Sequence, residues 1–130
     1  MIGFDTTALI DFFNENKDLK KLLDILDDSF CTTIINYQEI IFGIDMKNNE
    51  YAKEIKFYES LFDNIITIVH DKTSCNKASE VYWNLTKKGN IIDKFDCMII
   101  GIFLANGVDK IITRNVKHFE KVPGLKVLSY

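Results

Sequence analysis

Five short apolar runs of strand length punctuate the chain: MIGF at the start, FCTTII from Phe30, IITIV from Ile65, KIIT from Lys110 and a last run around LKVLS. Segments with helical or turn character fill the intervals between them, so neighbouring strands cannot be joined by tight hairpins. Strands that alternate with helices come together through crossovers, as an α/β domain with a mainly parallel sheet and helices on both faces. Runs such as IITIV are apolar at nearly every position rather than at every second one, which fits strands covered on both faces. In sheets of this kind ligands gather beyond the carboxyl ends of the strands, so polar residues that directly follow a strand are the first candidates for chemistry.

The helical intervals read as follows. TTALIDFFNEN is entered through a hydroxyl cap, and DLKKLLDILDDS carries Leu19, Leu22, Leu23 and Leu26 at amphipathic spacing. NYQEIIFGIDMKNN is apolar on most sides, whereas EYAKEIKFYESLF is amphipathic. DKTSCNKASEVYWNLTKKG places Cys75, Ala78, Tyr82 and Leu85 on one stripe and ends in Gly89, a residue suited to a helix C-terminus. A further helix spans DKFDCMIIGIFLANG and closes at Gly107, and VKHFE forms a short turn or helix before the last strand.

With 130 residues the chain is one folding unit, residues 1–130; a domain of this size buries about two-thirds of its unfolded surface. It is 47% hydrophobic, contains one proline and has no linker-like stretch or internal repeat. Its apolar runs are too short to span a bilayer and its N-terminus lacks a signal-peptide pattern, so a cytoplasmic protein without membrane partners is expected. Cys31, Cys75 and Cys97 are scattered, with no C-x-x-C pair. They suggest small buried hydrophobes rather than a disulfide framework or a zinc site. A net charge of −3 argues against coating nucleic acid with a broad basic surface, and Arg114 is the sole arginine. An acidic pocket that meets phosphate through a metal remains compatible with that balance.

Four polar residues stand out against the apolar pattern. Asp5 follows the first strand; it reads equally as a helix N-cap or as a functional acid, since Thr6 and Thr7 can also cap. Glu39 lies in TTIINYQEIIFG among Ile35, Ile40, Ile41, Phe42 and Ile44. It is either a solvated residue at the helix edge or a carboxylate held near a cation, because an unpaired buried carboxylate costs several kcal/mol or protonates. Asp96 shares a helical stripe with Ile99, Ile100 and Phe103, which places an ionisable group on the apolar face; first-turn electrostatics is the competing explanation. Asn115, after KIIT, reads by itself as a turn residue. Brought together, three acids repel one another unless a hard divalent cation such as Mg²⁺ or Mn²⁺ sits among them, and the matching reaction is metal-assisted phosphodiester hydrolysis.

Other chemistries are poorly supported. Neither G-x-x-x-x-G-K-[ST] nor G-x-G-x-x-G occurs. A phosphotransfer receiver domain is expected to carry a pair of acids after its first strand, where FDTT offers one. His70 and His118 lack zinc-site spacing, and His118 reads as a packing or capping residue. Ser74 and Ser79 have no nucleophile-elbow context.

FDTTALID, TTIINYQEIIFG with Gly43 four residues after its Glu, GNIIDKFDCMII and IITRNVKHF together resemble a PIN-domain protein, and specifically a VapC-type toxin ribonuclease. The four pieces stand in the family's order over nearly the whole chain. The resemblance implies an α/β/α sandwich, a metal-dependent endoribonuclease using Mg²⁺ or Mn²⁺ on structured RNA such as tRNA or rRNA, a homodimer, and neutralisation by a small VapB-like antitoxin. By the same resemblance, Asp5, Glu39 and Asp96 match the catalytic, metal-binding acids. Asn115 matches a fourth position that is often Asp, and is a further candidate ligand; Thr6 and Thr113 match supporting hydroxyl positions. Asp93 is left as a capping residue. Lys87, Lys88, Lys94, Arg114 and Lys117 are candidate RNA phosphate contacts, with solvated surface charge as the alternative. Tyr82 and Phe12 read as core and Trp83, off the stripe, as an interface residue. The competing reading of the whole chain is a catalytically weak or inactive PIN-like module that binds an antitoxin or RNA, motivated by Asn115 and the acidic surface.

Overall fold

The computed structural model describes residues 1–130. The elements, in chain order, are β1 (Ile2–Phe4), α1 (Thr6–Phe13), α2 (Lys17–Ile25), β2 (Phe30–Thr33) and α3 (Ile34–Phe42). A 3₁₀ turn at Asn49–Tyr51 leads into α4 (Ala52–Asn64), β3 (Ile66–Ile68), α5 (Lys72–Lys87), α6 (Lys94–Ala105), β4 (Lys110–Ile112), α7 (Val116–Phe119) and β5 (Lys126–Leu128). The five strands form one sheet in the order β3-β2-β1-β4-β5, and every pairing is parallel. The expected α/β sandwich is thus present, with a sheet that is wholly rather than mainly parallel.

The chain builds outward from β1 to β2 and β3 on one side, then returns to lay β4 and β5 on the other. The reversal falls between β1 and β4, where Gly3 is in register with Ile111 and Phe4 with Ile112. A crevice opens at the carboxyl ends of two strands where the order reverses in this way. The two residues that follow these strands are Asp5 and Thr113, and their backbone amides still donate across the sheet, to Ile112 and Leu128 respectively.

Side chains alternate across β1. Ile2 and Phe4 join Ala8, Leu9, Leu19, Ile40 and Tyr58 in one core, under α1 to α4. Gly3 faces the other layer, whose core contains Ile99, Ile100, Phe103, Ile111 and Phe119. A Cβ on Gly3 would lie 2.6 Å from Cζ of the fully buried Phe103, so only hydrogen fits there. Gly101 has a similar role between helices: a Cβ would stand 2.6 Å from the backbone nitrogen of Ala78, so the absence of a side chain sets how closely α6 approaches α5.

Four local expectations need correction. FCTTII is a strand only to Thr33, because Thr33 turns the chain into α3 with a reciprocal capping box: its hydroxyl accepts from the Asn36 amide while the Asn36 side chain accepts from the Thr33 amide. IITIV is an edge strand and only part covered, with Ile66 53% and Val69 64% exposed. On α5 the buried stripe is Ser74, Ala78, Val81 and Leu85. It includes a serine because the Ser74 hydroxyl donates to the Asp71 carbonyl at 2.8 Å and is therefore cheap to bury. Cys75 consequently points outward, its Sγ 3.4 Å from His70 Nε2, while Cys31 and Cys97 are buried and their thiols are pushed up to about 11 by desolvation. Phe12 also departs from expectation, at 42% exposed, and Trp83 is exposed as expected.

The Gly101 contact yields a test of the packing. Replacing a helical glycine by alanine ordinarily gains about 1 kcal/mol of helix propensity, but overpacking against immobile backbone costs about 1–3 kcal/mol. Gly101→Ala is expected to lower the unfolding midpoint in denaturant, measured by circular dichroism; an unchanged or raised midpoint would show that α5 and α6 can separate freely.

Candidate active site

Asp5 occupies the N-cap position of α1, yet its side chain makes no capping hydrogen bond. Instead Asp5 Oδ2 accepts from Thr113 Oγ1 at 2.8 Å and from Thr7 Oγ1 at 3.1 Å. The cap reading is therefore set aside by geometry: the carboxylate is 4% exposed and is tied across the crevice to the residue that ends β4. Thr7 completes this seam, lying 3.2 Å from Thr113 Oγ1 and accepting from the Arg114 amide at 3.1 Å.

Glu39 enters from the end of β2. The early start of α3 turns residue 39 toward α1, where Thr6 Oγ1 donates to Glu39 Oε1 at 2.6 Å. Thr6 in turn accepts from Asn36 Nδ2 at 3.0 Å, and Asn36 Oδ1 takes the Thr33 hydroxyl at 2.7 Å. Asn36, fully buried, thus links the end of β2 to the start of α1 and fixes the rotamer of Thr6 that holds Glu39. It was absent from the sequence-based candidates; the available signal was its place three residues after Thr33, the spacing of a capping box.

Asp96 lies in the first turn of α6, buried to 8% exposure, with Asp93 as the cap that accepts from the Phe95 amide. Its Oδ2 is 2.7 Å from His118 Nδ1. His118 was expected to pack or cap, and this contact corrects that reading: α7 places it one turn beyond Asn115, whose Nδ2 is 2.9 Å from the same ring nitrogen. One nitrogen cannot serve both partners in the same protonation state. With Asp96 ionised, Nδ1–H donates to the carboxylate; an Nδ1 lone pair accepts from the Asn115 amide instead. The Asn115 amide therefore meets the site through His118, while its backbone N–H donates to Thr113 Oγ1 at 2.9 Å.

Asp5, Glu39 and Asp96 are near enough to perturb one another. The Glu39 carboxyl is raised above its ordinary value first by desolvation, against the Thr6 hydroxyl bond, and further by the charges of Asp5, Asp96 and Asp93. Asp96 is raised by desolvation, against the His118 hydrogen bond, and again by Asp5 and Asp93. One oxygen of each acid, Oδ2 of Asp5, Oε1 of Glu39 and Oδ2 of Asp96, is held by a hydroxyl or a ring nitrogen. The opposite oxygens make no hydrogen bond and none is sealed from solvent. These outer oxygens are the hard donors on offer in the crevice. As the side chains stand, no three His, Cys, Asp or Glu groups converge tightly enough to grip one ion.

Among the basic candidates, Lys94 and Lys117 are exposed and lie two residues before Asp96 and one before His118, while Lys87 and Lys88 close α5. Arg114 is turned to Asp11 at 3.2 Å, a buried carboxylate that also takes the Tyr130 hydroxyl at 2.6 Å.

A family model described as PIN domain matches residues 2–125. The chain belongs to the PIN-domain family. A curated relative of this PIN domain, the tRNA(fMet)-specific endonuclease VapC of Salmonella typhimurium, is 20% identical over 121 residues, covering 93% of this chain and 90% of that protein. VapBC-1 from nontypeable Haemophilus influenzae is a solved structure with 26% identity and a TM-score of 0.82, over 99% of this chain and 98% of that one. VapBC2 from Rickettsia felis, solved bound to a DNA fragment from its promoter, gives a TM-score of 0.85 at 19% identity, over 100% and 99% of the two chains.

The desolvation of Glu39, together with repulsion from its acidic neighbours, has a measurable signature in this PIN domain. A carboxyl whose folded value is raised stabilises the fold while protonated, and that contribution is lost as the pH rises through the raised value. Without added cation, Glu39→Gln is therefore expected to raise the thermal midpoint at pH 7, and the gain should fade as the pH falls below the raised value of Glu39. A gain that is independent of pH would mean that the amide acts by packing alone.

Proposed function

We propose that this PIN domain is a metal-dependent endoribonuclease, the toxin of a toxin–antitoxin pair, acting on structured RNA of the tRNA or rRNA class in the cytoplasm. The observation that carries the reading is the crevice between β1 and β4, where Asp5, Glu39 and Asp96 each keep one oxygen tied to the protein and one free toward solvent. Burying such a set costs stability, and functional sites are where that cost is retained. The tRNA-specific activity named for the Salmonella relative supports the substrate class.

The donor chemistry fits Mg²⁺ or Mn²⁺. Mg²⁺ binds through one or two carboxylates and keeps several waters, which suits acids that are clustered without closing into a cage. Asp5, Asp96 and Glu39 would hold it, with Asn115 Oδ1 as a further candidate ligand, since only the Nδ2 of that amide lies against His118. When bound, the ion supplies a water of lowered pKa and neutralises charge developing on the phosphate.

The chain's own residues have distinct tasks. Thr113 and Thr7 hold Asp5 in place by donating to its Oδ2, Thr6 orients Glu39, and His118 Nδ1–H holds the inner oxygen of Asp96 so that the outer one faces the crevice. Glu39, whose carboxyl is raised by desolvation and by the neighbouring acids, is the proposed acceptor for a proton from an attacking water whenever its free oxygen is not given to the ion. Lys94 and Lys117 flank the crevice as exposed cations for the RNA backbone.

Purified protein incubated with total RNA should cleave with Mg²⁺ or Mn²⁺ and not with EDTA, and Asp96→Asn should lower the rate by about 10²-fold or more. Cleavage indifferent to both EDTA and the substitution overturns the metal mechanism. The second reading, an inactive binding module, is favoured by one feature, an amide at position 115 where a fourth carboxylate would add charge; it predicts no cleavage in any condition.

The antitoxin proposal has its own surface. An apolar trough of about 530 Å³ lined by Phe4, Leu9, Phe12, Leu23, Phe30, Leu61, Ile65 and Ile66 opens between α1, α2 and the end of α4. VapBC complexes among the solved structures of similar fold support a VapB-like partner, and the trough is the surface proposed to receive it. A homodimer is proposed on the family resemblance, and no helix is long and apolar enough to cross a membrane. Ile66→Glu, at an exposed position of the trough, should abolish co-purification with the product of the adjacent small gene while leaving RNA cleavage intact; retained co-purification places the partner elsewhere.

A further inference from the structure

The two helices that deliver Glu39 and Asp96 also deliver a pair of exposed aromatic rings. Phe42 stands three residues after Glu39 on α3, and Phe95 directly precedes Asp96 on α6. Residues three apart on a helix are surface neighbours, so Phe42 lies beside Glu39. α3 and α6 touch, and the two rings meet across that contact with centroids 6.4 Å apart and planes inclined at 59°. Phe42 is 72% exposed and Phe95 39% exposed. Neither belongs to either core, so the fold does not need them as packing.

An aromatic pair at the wall of an acidic crevice is costly to leave facing water, and its position limits what can cover it. At the start of α6 the exposed cation Lys94 and the exposed ring of Phe95 immediately precede the buried acid Asp96 in the chain. A nucleotide presents matching groups: a phosphate, and a flat apolar base attached to it. Aromatic rings bind bases by stacking irrespective of sequence, and unpaired bases in loops and ends are the ones free to do so.

We propose that Phe42 and Phe95 form a stacking platform for one unpaired base next to the phosphate presented to Asp5, Glu39 and Asp96, so that the site selects single-stranded segments of RNA. The proposal rests on the endoribonuclease reading. In it the platform residues are positioning groups: they hold the base and thereby the register of the adjoining phosphate, and take no part in bond making or breaking. Duplex RNA, whose bases are already stacked inside the helix, does not offer a free face.

The test uses the full chain carrying Asp5→Asn to suppress cleavage, and a short oligoribonucleotide in which 2-aminopurine replaces one base. Stacking on the platform is expected to quench the 2-aminopurine emission on binding, and the same strand paired with its complement should bind at least about tenfold more weakly. Phe42→Ala and Phe95→Ala should each lose the quenching and weaken binding about tenfold, while Phe42→Tyr and Phe95→Tyr restore both. Circular dichroism of the alanine variants separates loss of the platform from loss of the fold. In the cleavage-competent chain, the alanine variants should raise KM with little change in kcat for single-stranded substrate. Equal binding of single-stranded and duplex probe, or unchanged quenching in both alanine variants, overturns the proposal. So does a fall in solution mass from dimer to monomer on Phe42→Ala or Phe95→Ala, which would identify the pair as a contact between copies of the chain. Quenching that follows the aromatic residues in a protein unable to cleave RNA leaves the platform standing and removes only the nuclease reading.

Discussion

The structure turns on the seam where β1 and β4 lie side by side and the strand order reverses. Both strands end there, and the residues that follow them are joined by the hydrogen bond from Thr113 Oγ1 to Asp5 Oδ2 at 2.8 Å. Everything at the site is referred to this bond. Thr7 braces Asp5 from α1, the Arg114 amide donates back to Thr7, and Asn115 takes its backbone position from Thr113. The crossover topology thus brings residues more than a hundred positions apart into one hydroxyl and carboxylate network.

Around that seam the chain keeps several groups in arrangements that do not favour stability. Asp96 and Glu39 are desolvated and repelled by neighbouring acids, and each is compensated by one donor, His118 Nδ1 or Thr6 Oγ1. A single charge-assisted hydrogen bond is worth about 1.5–3 kcal/mol, less than the several kcal/mol that desolvating a charge can cost. Protonation relieves the remaining deficit, and a cation entering the crevice would do the same. Apolar packing on both sides of the sheet carries the cost: the core under α1 to α4 and the core beneath α5 and α6 are separate, and neither includes the crevice.

Much of the fold was legible because it depends on periodicity. The helices DLKKLLDILDDS and EYAKEIKFYESLF formed where their apolar spacing placed them, and Gly89 and Gly107 take the left-handed conformation at the helix ends they were read to close. Less legible were features set by side-chain hydrogen bonds. The capping box of Thr33 and Asn36 shortened β2 and moved the start of α3, and the bond from Ser74 to the Asp71 carbonyl let a serine replace Cys75 on the buried stripe. Hydropathy patterns weigh a hydroxyl as polar whether or not its partner is at hand, so they misplace such residues.

Asp5, Glu39 and Asp96 were visible in the sequence because carboxylates interrupt apolar patterns, and the sequence alone thereby determined which acids were candidates and that the sheet would be mainly parallel. It left the role of Asp5 open between cap and site. Tertiary structure removed the cap reading, because the packing of β4 against β1 supplies Thr113 as a donor to the carboxylate. It also brought His118 against Asp96 and Asn36 against Thr6, contacts made across elements distant in the chain. Patterns along one segment record which face that segment buries; the identity of the group waiting on the other side is a property of the assembled fold.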